Sequence, residues 1–428
     1  MNESMPLEIP LIKWLPSQEG GPVLDFLKRP AFLPEAEATA RTVLDDVRAR
    51  GDEAVREQTA RLDRVELTED YAVPVEEMAA RLAALSPGLR AALEIAAANI
   101  RAYHEHEAVA PWRETLAQGQ VVGQQVVPLG AAGLYAPGGL ADYPSSLLMV
   151  AIPAQVAGVE RIVVCSPPRP GGGAAAGVAA ACALLGIEHL YPIGGAQAVA
   201  AMALGTASVP RCDVIAGPGN AYVTEAKRLL VGEVGIDSLA GPSEVLIIAD
   251  SSGRPEWLAA DLLAQAEHGM GAMACLADIG GALAGPVAAA VERLSAELGI
   301  ATDNVVVVEC PDRDAALALS NAFAPEHLEL HCEGARELLA GVRNAGAVFV
   351  GPHAATAFAD YAAGTNHVLP TGGSARFGQG LSVDAFRKRV AVVELDGPAA
   401  AALAPQVAAI ADEEGLRAHA LSARLRTQ

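Results

Sequence analysis

The apolar residues of this chain follow two rhythms. From the start to about Trp112 the pattern is helical, apolar residues recurring at spacings of three and four most clearly over Ala36–Arg50 and Pro87–His106. This stretch is rich in charge, so its apolar stripes must lie against another layer. Beyond it, short apolar runs alternate with helical ones. Arg161–Ser166, His189–Pro192 and Asp213–Ala216 predict strands, and Gly177–Leu185, Gly195–Leu204 and Ala221–Val231 predict helices between and after them. A second series has strands at Glu244–Asp250, Met273–Asp278, Asn304–Glu309, His327–His331 and Ala347–Val350. Its helices are Pro255–His268, Pro286–Leu298, Arg313–Phe323 and Ala335–Asn344.

Such alternation implies right-handed crossovers and parallel sheets. The expected fold is α/β: two tandem Rossmann-like units, each an incomplete, doubly wound parallel sheet, with an N-terminal helical layer and a helical C-terminal tail. The expected boundaries are 1–120 for the helical region, 121–240 for the first unit, 241–380 for the second and 381–428 for the tail. The tail, helical from Pro398, is too short to bury its apolar face alone and must dock on its own body or on a partner subunit.

Composition narrows the function. Hydrophobic residues make up 52% of the 428 and charged residues 19%, which excludes a disordered chain. With 30 Lys and Arg against 51 Asp and Glu, the net charge of -21 argues against nucleic acid and anionic membranes as partners. The longest apolar stretches are too short or interrupted to span a bilayer. No basic stretch with an apolar core opens the chain, so no signal peptide is expected. None of the six cysteines is paired at metal-ligand spacing, which fits a reduced cytoplasmic protein with buried thiols.

Candidate chemistry lies at the turns. Gly171-x-Gly173-x-x-x-Gly177 departs from the dinucleotide spacing and is crowded by prolines, so it reads as a turn. Gly194-Gly195, Gly217-Pro218-Gly219-Asn220 and Ala240-Gly241-Pro242-Ser243-Glu244 sit at strand ends, where together they make a ligand crevice plausible. Among the histidines, His104, His106 and His189 stand among charges and read as solvated; His331 and His353 have no evident partner. Gln265 and His268, three apart, share a helix face, which alone is more often an ordinary polar edge than a metal site. Asp360 and His367 flank a turn that Gly364 allows to fold back. Glu326 and His327 follow Pro325 at a strand entrance, where a carboxylate beside an imidazole forms a natural general-base pair; the bland alternative is a solvated Glu326.

The segments LYAPGGLADYPSSLLMVAIPAQVAG, GGAQAVAAMALGT, GPGNAYVTEAKR, AGPSEVLIIAD, LLAQAEHG, APEHLEL, DYAAGTNHVLPT, ARFGQGLSVDAFRKR and EEGLRAHALSARLR, in this order, resemble the histidinol dehydrogenase family. The resemblance covers most of the chain from about Gly133 to His419 and is weak before that. It implies oxidation of L-histidinol through L-histidinaldehyde to L-histidine with two NAD, at the end of histidine biosynthesis. By position it implies Gln265, His268, Asp360 and His419 as ligands of one zinc per subunit, and Glu326 and His327 as general bases. Ser243, His367 and Glu414 resemble substrate contacts, joined by Gln265, His268, Glu326, His327, Asp360 and His419. Tyr135, Gln197 and Asn220 resemble NAD contacts.

The family's tail reaches into the partner's site, which implies a homodimer with composite sites. Two features depart from the family pattern: Ser238-Leu239 before AGPSE, and Gly378-Gln379 in ARFGQGLSV. Competing readings are a zinc and NAD enzyme for another amino alcohol or polyol, a zinc hydrolase without NAD, and a purely binding homologue. A cysteine thiohemiacetal mechanism is disfavoured, because no cysteine lies in the matching motifs near Glu326 or His327.

Overall fold

In the computed structural model, which describes residues 9–13, 27, 33–138, 142–269 and 271–427, the two α/β series fold into separate sheets. The N-terminal residues inspected for a targeting signal lie mostly outside the described residues, as do residues 139–141 of the LYAPGGLADYP segment.

The strands, in chain order, are β1 (Leu11–Lys13), β2 (Trp112–Thr115), β3 (Val121–Pro128), β4 (Ala131–Tyr135), β5 (Arg161–Cys165), β6 (His189–Tyr191), β7 (Val214–Ala216), β8 (Gly235–Ile236), β9 (Glu244–Ala249), β10 (Met273–Ile279), β11 (Val305–Cys310), β12 (His327–His331), β13 (Ala347–Val350) and β14 (Arg387–Glu394). The first sheet runs β6-β5-β4-β7-β8 and the second β1-β11-β10-β9-β12-β13, every pairing in both being parallel. Leaving β1 aside, both have the same winding. The first strand of each unit lies in the middle, the next two extend to one side, and the last two extend to the other. Each sheet therefore has a switch point, between β4 and β7 and between β9 and β12.

The first unit has helices behind its helices. Pro144–Ala157 is apolar all round and largely buried, as a helix covered on both sides must be. Helix Pro87–Glu105 covers it, and Val75–Ala83 covers the Ala-rich helix Ala176–Leu185. On the opposite face, Pro34–Arg50 packs across Gly195–Leu204 and Ala221–Leu229, burying Ala40, Val43, Leu44 and Val47. The charged N-terminal helices are thus the outer layer their amphipathic pattern requires. In the second unit, Pro255–Ala266 and Ala284–Leu298 cover one face of the sheet and Arg313–Phe323 the other.

Three features depart from expectation. Residues 387–394 of the supposedly helical tail form β14, which pairs antiparallel with β3 in a small β14-β3-β2 sheet. Leu11–Lys13, at the other end of the chain, joins the edge of the second sheet through β11. Helix Ala335–Asn344 is cut to Ala335–Leu338 plus one tight turn, because Asn321 accepts from Arg343 and Asn344 backbone N–H groups and holds that segment extended. The last helices, Gly397–Glu413 and Arg417–Arg424, pack mainly on one another around Ala408, Ala411 and Ala420.

Candidate active site

Glu326 and His327 occupy the amino end of β12, beside the amino end of β9. The turn that places them is tight: Ala324, at φ 55, adopts a left-handed conformation after helix Arg313–Phe323, and Pro325 follows. A non-glycine residue there costs about 1–2 kcal/mol, which the surrounding packing must offset. Glu326 is buried, with Oε2 accepting from the Glu244 backbone N–H at 3.0 Å and the Ser243 side chain beside it. Burial pushes its carboxyl up to about 7, against the lowering effect of these two neighbours.

His327 is equally buried. Its Nδ1 is 3.1 Å from the Glu244 carbonyl oxygen, which can only accept, so Nδ1 carries the proton and donates. Its Nε2 has no hydrogen-bond partner and points towards Asp360, 3.9 Å away. Burial holds the imidazole below its ordinary range, more strongly than Asp360 raises it. The ring is therefore a neutral base with its free nitrogen facing Asp360.

Around it converge three elements. Helix Pro255–Ala266 runs back from the far end of β9, so its last turn brings Gln265 to the amino ends of the strands, with His268 just beyond. Gln265 is buried; its oxygen accepts from Ser243 Oγ at 3.3 Å and its nitrogen has no partner. Asp360, near the end of helix Thr356–Tyr361, is pushed up to about 6 by burial, although His327 opposes this. The chain then doubles back through Gly364, whose φ is 112°, and His367 Nδ1 donates to the Asp360 carbonyl at 3.0 Å. A side chain at 364 would meet the Asn99 carbonyl oxygen at 2.9 Å. Burial lowers His367 to about 4, so it is neutral.

Gln265, His268 and Asp360 line a cavity of about 20 Å³, room for a single small species. One carboxylate, one imidazole and one carboxamide oxygen, from Asp360, His268 and Gln265, make a donor set that fits a small cation such as zinc. Glu414 and His419 lie apart from this cavity, exposed on the tail helices.

At the first unit's switch point, Tyr135 ends β4, its hydroxyl accepting from Gly195 N–H at 3.1 Å. Gln197 is buried and donates to Asp63 at 3.1 Å. Asn220 caps helix Ala221–Leu229 by accepting from Tyr222 and Val223 N–H groups, worth roughly 1 kcal/mol. Gly217, at φ 119°, passes so close to Tyr135 that a Cβ would lie 2.2 Å from its carbonyl oxygen. The three residues thus border the crevice in which doubly wound folds take a dinucleotide. Here the two units differ: the first offers the carboxyl ends of its strands, while the second gathers its titratable groups at the amino ends.

Several groups escape a reading by motif. His104 is fully buried, not solvated: its Nδ1 is 2.7 Å from Glu107, and its Nε2 accepts from Asn366 at 3.1 Å, pinning the loop before His367. Glu105 points to water because adjacent positions lie on different helix faces, whereas Glu107, three residues on, turns back to His104. His331 also has partners, Nε2 lying 3.3 Å from Glu329 with Asp261 nearby. The alternation His327, Glu329, His331 along one strand was the available signal for a polar buried face. His353 stacks obliquely on Trp257. Lys227 and Asp237 form a buried ion pair beneath Gly217.

Fold and site together define an α/β enzyme of two doubly wound units, with a neutral imidazole base and a carboxyl group poised near neutrality beside a small polar cavity. Comparison with known proteins gives this class a family. The family model described as histidinol dehydrogenase matches residues 28–427. The chain is 48% identical over 401 residues to histidinol dehydrogenase of Cereibacter sphaeroides and 46% identical to that of a Synechococcus species, covering 92% of both chains in each case. The crystal structure of histidinol dehydrogenase from Elizabethkingia anophelis superposes with a TM-score of 0.92 at 33% identity, covering 98% of each chain. This chain belongs to the histidinol dehydrogenase family, and it is an oxidoreductase.

Proposed function

We propose that the chain oxidises L-histidinol through L-histidinaldehyde to L-histidine, using two NAD and one zinc ion per subunit. The observation that carries this is His327: a buried, neutral imidazole whose tautomer is set by the Glu244 carbonyl and whose Nε2 is free. NAD as co-substrate accepts a hydride in each oxidation, and bound zinc supplies a template for the substrate's imidazole and amine. Gln265, His268 and Asp360 would hold the metal.

In the first oxidation His327 Nε2 takes the hydroxyl proton as the carbon loses hydride, leaving the aldehyde. In the second, Glu326 takes a proton from water while the water oxygen adds to the aldehyde carbon. The hydrate gives hydride to the second NAD and its remaining acidic proton to His327 Nε2, neutral again after the first step, and so becomes the carboxylate. The Glu244 backbone N–H orients Glu326 through the hydrogen bond on its Oε2, with Ser243 beside it. His367 and Glu414 bind the substrate. Tyr135, Gln197 and Asn220 border the NAD crevice.

The fourth metal ligand, His419, and Glu414 reach the site from a second copy of the chain. Supporting this, the tail helices leave Val407, Ile410, Leu416 and Leu421 exposed, an apolar surface with nothing of its own to cover. Six unpaired, buried cysteines and the use of NAD support a cytoplasmic location. The test is stoichiometry: purified protein with L-histidinol and excess NAD should form about two NADH per histidinol, lost on chelation and restored by zinc. No NADH with full metal loading would overturn the substrate assignment.

A further inference from the structure

Helix Thr356–Tyr361, which carries Asp360, is only six residues long and cannot persist without tertiary support. Its N-cap, Ala355, offers no side-chain acceptor. The acceptor comes from the neighbouring sheet: Glu329 Oε1 takes hydrogen bonds from Thr356 N at 2.7 Å and from Thr356 Oγ1 at 2.8 Å. A buried carboxylate at a helix N-terminus is a strong, charge-assisted anchor.

Glu329 is fully buried in β12, two residues past His327 and so on the same face of the strand. Its other oxygen, Oε2, lies 3.3 Å from His331 Nε2. Asp261 completes this cluster, the ligand atoms of all three lying within 4.8 Å of one another. Asp261 stands one helical turn before Gln265. Strand and helix thus present matched columns, His327–Glu329–His331 against Asp261–Gln265–His268. The helix column lines the small cavity along its length.

We propose that Glu329 is a positioning residue: supported by Asp261 and His331, it fixes the start of helix Thr356–Tyr361 and thereby holds Asp360 in place opposite Gln265, His268 and His327. The inference rests on the reading above, in which Asp360 is a metal ligand. The geometry makes the coupling short. Thr356, Ala357 and Asp360 form one wall of the small cavity, and Asp261, Gln265 and His268 another, so movement at Thr356 alters the cavity directly.

Zinc affinity of the full-length protein, measured by competition with a chromogenic chelator, tests this apart from turnover. Glu329→Ala should bind zinc about 10–100-fold more weakly, the usual loss when a residue supporting a ligand is removed. Glu329→Gln keeps an acceptor for Thr356 and should stay within about threefold of the parent. Thr356→Val, which keeps the N–H but not the hydroxyl, should fall between them. Circular dichroism identifies folded variants, and the Gln and Val variants carry the test if Glu329→Ala does not fold. Parental affinity in folded Glu329→Ala, or in Thr356→Val, would overturn the proposal. So would a second zinc equivalent that disappears in Glu329→Gln, because the cluster would then be a metal site itself. A parent protein without zinc affinity would instead overturn the metal assignment on which the proposal stands.

Discussion

His327 Nε2 faces the Asp360 carboxylate across 3.9 Å, too far for a hydrogen bond, while the opposite ring nitrogen is held by a backbone carbonyl. The gap leaves the basic lone pair available, and Asp360 sits where it would favour the imidazolium formed on proton transfer. Replacement of His327 by Asn should lower kcat about 10²–10⁴-fold, the usual contribution of a positioned base. Zinc content, measured by elemental analysis, should be unchanged, because His327 is not among the assigned ligands. Loss of metal together with activity would move His327 into the metal site.

Glu326 makes the second oxidation pH-dependent. Burial raises its carboxyl to about 7, and only the ionised form can accept a proton from water. NADH formation from supplied histidinaldehyde should therefore rise as pH passes through about 7, and Glu326→Gln should be slow at every pH. Linkage adds a sign for stability. The native carboxyl keeps its proton to higher pH than the unfolded one, so its stabilising contribution is present at low pH and lost as pH rises through about 7. Thermal unfolding should show Glu326→Gln gaining on the parent between about pH 5 and pH 8.

Lys227 and Asp237 grip Gly217 from both sides. The ammonium donates to its carbonyl at 3.1 Å, the carboxylate accepts from its N–H at 2.8 Å, and the two charges pair with each other in the interior. This fixes the loop whose next residues lead to Asn220. Lys227→Met would strand the buried carboxylate, a loss of about 3–5 kcal/mol in stability. In the folded fraction, NAD affinity by fluorescence titration should weaken at least tenfold, about 1.4 kcal/mol, with histidinol affinity little changed. Equal weakening of both ligands would show a general loss of structure in place of a local one.

The two parallel sheets were legible because their strands are short apolar runs bounded by Gly and Pro, a pattern local to each segment. The β14-β3-β2 sheet was not. Arg387–Glu394 alternates weakly, carries charge and stays largely exposed, and its partner Val121–Pro128 lies far away in the chain. The site divides in the same way. Glu326, His327, Asp360 and His367 stand at turns whose chemistry is visible in the residue order, whereas Lys227–Asp237 and His104–Asn366 become pairs only through tertiary folding. His104 was misleading for a specific reason: its immediate charged neighbour, Glu105, occupies another face of its helix, while Glu107 turns back to pair with it.

The thiols should be bystanders. All six cysteines are free and buried, and burial pushes Cys212 and Cys310 up to about 12, leaving them protonated at neutral pH. A protonated, inaccessible thiol is neither a nucleophile nor a ready target for alkylation. Iodoacetamide on the native protein should therefore leave NADH formation unchanged, with labelling, followed by mass spectrometry, appearing only after unfolding. Rapid inactivation that histidinol prevents would reopen the thiohemiacetal route.

The placement of Glu414 and His419 gives the sharpest test of assembly. Both are exposed on helices that pack mainly on each other, away from the cavity lined by Gln265, His268 and Asp360. If each tail completes its neighbour's site, a His419→Asn chain and a His327→Asn chain should be nearly inactive alone. Unfolded together and refolded as a mixture, they form hybrid dimers. One site of each hybrid then receives both defects and the other receives neither. Statistical mixing makes half the dimers hybrids, so about a quarter of parental activity should return. If each tail instead served its own chain, every site in the mixture would carry one defect, and no activity would return at any mixing ratio.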